Sequence, residues 1–130
     1  MRARRPEDVL SDEVRVALGT LPGVIVMRNH VTYGVRTGRT NPELFGLGEG
    51  TPDLMVIVCG RLLGLELKTP VGRLSPKQVA VREAWEAAGA AYRVARSVGE
   101  AKEAVLEAAL LAVGAPPRAA LLDALGAAVA

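Results

Sequence analysis

Val9, Leu10, Val14, Ala17, Leu18 and Leu21 recur at the spacing of one helical face, so the chain opens with an amphipathic helix. Pro6, Glu7 and Asp8 make its first turn, with proline where no backbone donor is needed and acids where the helix dipole favours them. Pro22-Gly23 ends that segment, and the β-branched run from Val24 to Val31 predicts a strand. From Thr32 to Thr51 the pattern dissolves into Gly, Thr, Asn, Pro and Arg. An irregular connection of ~20 residues is unusual in a compact domain and often functional. Two apolar runs follow, Leu54 to Cys59 and Leu62 to Lys68, separated by Gly60-Arg61. Glycine first in a two-residue loop predicts a type II′ hairpin.

Ser75-Pro76-Lys77-Gln78 has the form of a capping box, with serine at the N-cap, proline at N1 and glutamine at N3. The helix it opens is expected to run to Ala88, where Gly89 stops it. Tyr92 to Ala95 predicts a fourth strand and Val98 to Val113 a further helix. Gly114-Ala115-Pro116-Pro117 is a break before an alanine-rich helical tail. The expected order is helix, three strands, helix, strand, helix, tail, with a domain over 1–113 and the tail over 114–130. Leu121, Leu122 and Leu125 give the tail an apolar spacing suited to packing on the body or on a partner subunit.

Half of the 130 residues are hydrophobic, enough for a real core. The four aromatic residues, Tyr33, Phe45, Trp85 and Tyr92, are too few for stacking successive bases of a single strand. The formal charge of +2 permits a nucleic-acid partner without requiring one. A single cysteine, Cys59, excludes an internal disulfide, and a single histidine, His30, which reads as a strand residue, argues against a zinc cluster. The basic amino terminus lacks the apolar run of a signal peptide, and no stretch of ~20 apolar residues occurs. The expectation is a soluble cytoplasmic protein with no membrane span.

The chemistry gathers on the hairpin. With Gly60-Arg61 as the turn, Asp53 lies opposite Lys68 and Met55 opposite Glu66. Alternation then sends Asp53, Glu66 and Lys68 to one face. Asp53 and Glu66 become diagonal neighbours, provided that Gly64 does not mark a bulge. Both sheet faces read as apolar, which predicts a central sheet covered by helices on each side. Charges at the end of such a strand are costly without partners. Two carboxylates ~4 Å apart repel by about 4 kcal/mol at an effective dielectric near 20. A hard divalent cation, Mg²⁺ or Mn²⁺, would relieve this. A cross-strand Asp53–Lys68 salt bridge with a solvated Glu66 accounts for the same spacing.

Gly50-Thr51-Pro52-Asp53 followed by Glu66-Leu67-Lys68 resembles the PD-(D/E)XK nuclease superfamily. The downstream run Gly72 to Gln78, then Ala87-Ala88-Gly89 and Tyr92-Arg93-Val94-Ala95, is similar to its stand-alone VRR-NUC family. The likeness spans roughly Glu13 to Val105. It implies an α/β, restriction-endonuclease-like core of order α-β-β-β-α-β, with a central mixed sheet flanked by helices and further C-terminal helices. The implied activity is metal-dependent hydrolysis of DNA phosphodiesters with Mg²⁺ or Mn²⁺. Asp53, Glu66 and the Leu67 carbonyl would hold the metal, and Lys68 would serve the nucleophilic water.

The resemblance also implies a glutamate from the first helix, for which Glu13 is the candidate and Glu7 the competitor. Gln78 belongs to the same pattern, although a capping box explains it as well. Arg36 and Arg39 in the long connection, and Arg73 and Lys77 beyond the lysine, are candidate phosphate contacts. Self-contained members resemble homodimeric enzymes that resolve branched DNA such as Holliday junctions. A non-catalytic DNA-binding module is the alternative, and so is a restriction-type duplex cutter, for which no separate base-reading element is visible.

Overall fold

The computed structural model describes residues 4–29 and 48–126, together with the backbone of 32–34 and 43–45. The elements in chain order are α1 (Pro6–Gly19), β1 (Val24–Arg28), β2 (Thr32–Gly34), β3 (Glu43–Phe45), β4 (Leu54–Val58) and β5 (Arg61–Leu67). They continue with α2 (Pro76–Ala87), β6 (Ala91–Ala95), α3 (Val98–Leu111) and α4 (Arg118–Ala124).

β1, β4, β5 and β6 form one sheet in that order. The first two pairings are antiparallel and β5–β6 is parallel, with α2 as the crossover that a parallel neighbour requires. This is the expected mixed sheet with flanking helices, in the expected order. β2 and β3 pair separately, antiparallel, within the connection that was expected to be irregular. His30, Arg36 and Arg39 lie outside the described residues.

One sheet face carries Leu54, Val56, Val58, Leu63, Leu65 and Leu67, all buried in the main core. α1 covers them with Val14 and Leu18. α3 adds Ala101, Ala104, Val105, Ala108 and Ala109, an inward stripe at helical spacing whose small side chains let the helix lie close to the sheet. Each fully buried leucine or valine contributes roughly 1.5–3 kcal/mol. Leu121 and Leu122 of α4 are fully buried in the same core, and Arg118 Nε donates to the Ala109 carbonyl in the last turn of α3.

The opposite face is covered by α2 only at the β5–β6 end, where Trp85 meets Tyr92 edge to face at 6.1 Å. At the β1 end, Ile25 and Met27 are 57% and 44% exposed. Among the described residues the expectation of two covered faces therefore fails there, because one helix of this length spans only part of a four-stranded sheet.

The hairpin turn also differs from expectation. Val58 pairs with Arg61 and Leu54 with Leu65, so the loop is Cys59-Gly60. Both loop residues have positive φ, 49° and 84°, as a type I′ turn demands. The pairing moves by two positions in its sum, so every side chain keeps its face while its partner changes.

Candidate active site

One step beyond the Leu54–Leu65 pair, the ladder sets Asp53 opposite Glu66 rather than opposite Lys68. The Leu67 N–H donates to Asp53 Oδ2 at 2.8 Å, which holds that carboxylate against the end of β5. Lys68 Nζ lies 3.6 Å from Glu66 Oε1, and its side chain is 17% exposed. The structure thus brings Asp53, Glu66 and Lys68 together at one end of the two central strands. The expected Asp53–Lys68 pairing is replaced by a Glu66–Lys68 contact, because the turn sits one residue earlier.

Asp53 is reached through a fixed approach. The Asn29 N–H donates to the Asp53 carbonyl at 2.9 Å, so the ladder continues one residue past β1. Asn29 Nδ2 donates to Thr51 Oγ1 at 2.7 Å and to the Pro52 carbonyl at 3.0 Å. Thr51 Oγ1 in turn donates to the Gly48 carbonyl at 2.6 Å. β1 itself ends at Arg28, short of the Val31 expected from β-branching. Gly64 is regular strand rather than a bulge: a methyl there would lie 2.4 Å from Pro52 Cγ and 2.9 Å from Trp85. Glycine lets the turn before Asp53 sit directly on the sheet.

Gln78 makes the capping-box bonds and also reaches Glu66. Its Oε1 accepts from the Ser75 N–H at 2.9 Å, and its own N–H donates to Ser75 Oγ at 3.1 Å, completing the capping box. Its Nε2 donates to Glu66 Oε1 at 2.8 Å. An amide has an acceptor and a donor on opposite sides, so one side chain ties the start of α2 to the site.

Glu66 is 4% exposed. Burial first, and then the charge of Asp53, push its carboxyl from an ordinary 4.5 up to about 8, against the opposing pull of Lys68. Its Oε1 has Gln78 and Lys68, whereas its Oε2 is buried with no hydrogen-bond partner. Two carboxylates can hydrogen-bond each other only if one is protonated, so the ionised pair needs something positive. Burial, with the charges of Glu66 and Asp53 behind it, likewise holds the Tyr92 phenol well above its ordinary range. Tyr92 Oη donates to the Gly50 carbonyl at 3.3 Å.

The acids open into a cleft of about 360 Å³ between that end of the sheet and the start of α1. Glu7, Asp8 and Ser11 line it from the helix, while Arg5, Arg28 and Lys68 bring positive charge. Arg5 is engaged by Asp8 at 3.1 Å. Glu13, the first-helix candidate, is exposed and does not line the cleft. Six residues at roughly 100° each turn it about 120° away from Glu7. Of the two first-helix glutamates weighed from the sequence, Glu7 lines the cleft and Glu13 does not. Arg73 and Lys77 are exposed and also lie outside the cleft lining. Sequence reading missed Asn29 and Arg28, whose places depend on pairings between distant segments.

The donor set suits a hard cation. Asp53 and Glu66 set two carboxylates opposite one another, with Lys68 beside the Glu66 Oε1 and no hydrogen-bond donor on its Oε2. No group of three or more His, Cys, Asp or Glu side chains converges closely enough to hold an ion by itself among the described residues.

No family model and no curated protein matches the chain. Among solved structures it is similar to one described as "VRR_NUC domain", at 21% identity and a TM-score of 0.52, over 75% of this chain and 90% of that one. The chain therefore has the fold of a VRR_NUC domain.

Proposed function

We propose that this chain is a nuclease of the VRR-NUC type, hydrolysing DNA phosphodiesters with Mg²⁺ or Mn²⁺. The observation that carries the reading is Glu66 Oε2, a buried carboxylate oxygen without a donor, opposite Asp53 and beside Lys68 at a cleft. Asp53, Glu66 and the Leu67 carbonyl would hold the cation. When bound, such a cation polarises a phosphoryl oxygen and makes water a better nucleophile near neutral pH.

The chain's own residues supply the rest. Gln78 fixes the Glu66 carboxylate in one rotamer, and the Leu67 N–H does the same for Asp53. The Lys68 ammonium orients the attacking water and stabilises negative charge as it grows on the phosphoryl oxygens. The water oxygen bonds to phosphorus and gives up a proton to solvent, the bond to the leaving sugar oxygen breaks, and that oxygen takes up a proton from solvent. Glu7 fills the place of the first-helix glutamate, and Arg28 holds a neighbouring phosphate at the rim. Branched DNA as substrate and a homodimer with two opposed sites belong to the same reading, carried by the resemblance.

The test is cleavage of labelled four-way junction, flap and linear duplex DNA with Mg²⁺, with Mn²⁺ and with EDTA. Metal-dependent cutting that is lost in Asp53→Ala and Lys68→Ala supports the proposal, and the best substrate names the structure recognised. Folded wild type that binds DNA but cuts none of these overturns it in favour of a non-catalytic module.

A further inference from the structure

Arg96 directly follows β6, and its side chain is bonded to backbone rather than to a carboxylate. Its Nη1 donates to the Thr69 carbonyl at 2.5 Å and to the Gly72 carbonyl at 2.7 Å. Both belong to the turn after Lys68, which the Gly72 N–H closes on the Thr69 carbonyl at 3.1 Å. Hydrogen bonds from a charged donor are about twice as strong as neutral ones, and the Nη1 amino group has one N–H for each of the two carbonyls. Arg96 is itself anchored from the other side. Its N–H donates to Glu100 Oε2 at 3.0 Å, and Glu100 is fixed in the first turn of α3 by its own bond to Ser97 Oγ at 3.1 Å.

The clamped turn bears on Lys68. The Lys68 N–H donates to the Ala95 carbonyl at 3.2 Å, so Lys68 and Arg96 are neighbours across the parallel pair. A methyl built on Gly72 would stand 3.5 Å from both Cβ and Cδ of Lys68, which means that the turn lies along the lysine stem. A four-carbon stem without such a wall distributes its ammonium over several staggered rotamers.

We infer that Arg96 is a positioning residue: by clamping the 69–72 turn it sets the direction of the Lys68 ammonium at the cleft. The inference rests on the nuclease reading of that site for its effect on rate, but the positioning itself is separately measurable. Nothing in the resemblance or in local sequence pattern singles Arg96 out. Its partners lie 27 and 24 residues earlier in the chain.

The test combines kinetics with side-chain dynamics. Cleavage would be measured for wild type, Arg96→Ala, Arg96→Lys, Lys68→Ala and the double variant Lys68→Ala/Arg96→Ala. Arg96→Ala should lower kcat about ten- to hundredfold, the range a misplaced reacting group costs, with KM moved by less than about twofold. Arg96→Lys should recover part of the loss, since an ammonium can donate to both carbonyls but from a shorter stem and without the planar guanidinium's fixed direction. Adding Arg96→Ala to Lys68→Ala should cost less than about twofold, because the residue it acts through is already gone. An equal loss in both backgrounds would overturn the inference.

The second measurement is ¹³C relaxation at Cε of Lys68, resolved from Lys77 and Lys102, in metal-free protein. Arg96→Ala and, more weakly, Arg96→Lys should raise the mobility of Lys68 and leave Lys102 unchanged. Unaltered relaxation at Lys68 refutes the clamp. If wild type cuts no DNA, the nuclease reading fails, and the relaxation result alone still decides whether Arg96 positions Lys68.

Discussion

Removing divalent cations should make the stability of this protein fall as pH rises, and Glu66 should be the cause. In the unfolded chain its carboxyl titrates near 4.5, while in the folded chain burial and Asp53 push it up to about 8. Between these values the folded state keeps a proton that the unfolded state has released. Stability is therefore fully present below about pH 4.5 and is lost progressively as pH rises through about 8. At about 1.36 kcal/mol per pKa unit, the full separation corresponds to about 5 kcal/mol, a large part of the 5–15 kcal/mol typical of a domain. Glu66→Gln should remove the slope. Its amide keeps the acceptor for Gln78 and offers Asp53 the donor that a protonated carboxyl would offer. Urea denaturation in EDTA from pH 5 to pH 9 measures both proteins. Above pH 8 the variant should be the more stable, and saturating Mg²⁺ should restore the wild type. A wild-type profile that stays flat across this window, or a slope that survives in Glu66→Gln, would refute the reasoning.

Three further outcomes follow from particular contacts. Gly64→Ala forces a methyl against Pro52 and Trp85, so it should cost about 1–3 kcal/mol in chemical denaturation, as overpacking does. Ser75→Ala removes only the cap and should cost about 1 kcal/mol with cleavage retained, whereas Gln78→Ala should lower stability and cleavage together. In the cleavage assay Glu13→Gln should behave as wild type and Glu7→Gln should lose rate, since only Glu7 lines the cleft.

The sheet and its helices were legible because they rest on local rules: apolar periodicity in α1, Pro and Gly punctuation, and the Ser75–Gln78 cap. The grouping of Asp53, Glu66 and Lys68 on one face was legible too. It survived a wrong turn assignment because the error of two in the pairing sum preserves the side-chain alternation. The turn itself was hidden by Cys59, since a non-glycine residue at φ 49° goes against the rule that places glycine at such positions. Gly64 looked like a weakness in a strand and is instead the close approach of Pro52 and Trp85. The choice between Glu7 and Glu13 was not legible, because it depends on which turn of α1 faces the cleft. Asn29 and Arg96 carried no local signal at all, as their partners are brought to them only by strand pairing. Leu121 and Leu122 showed their spacing in the sequence, but the core they enter is visible only once α3 and α4 are packed.

The central claim is that Asp53 and Glu66 together hold a divalent cation beside Lys68. Its most direct test is a Mn²⁺ titration read by electron paramagnetic resonance, with wild type, Asp53→Ala, Glu66→Gln and Glu13→Gln compared at one pH. The account predicts saturable binding by wild type and Glu13→Gln, and its loss in Asp53→Ala and Glu66→Gln. Binding of equal affinity in all four proteins would contradict it.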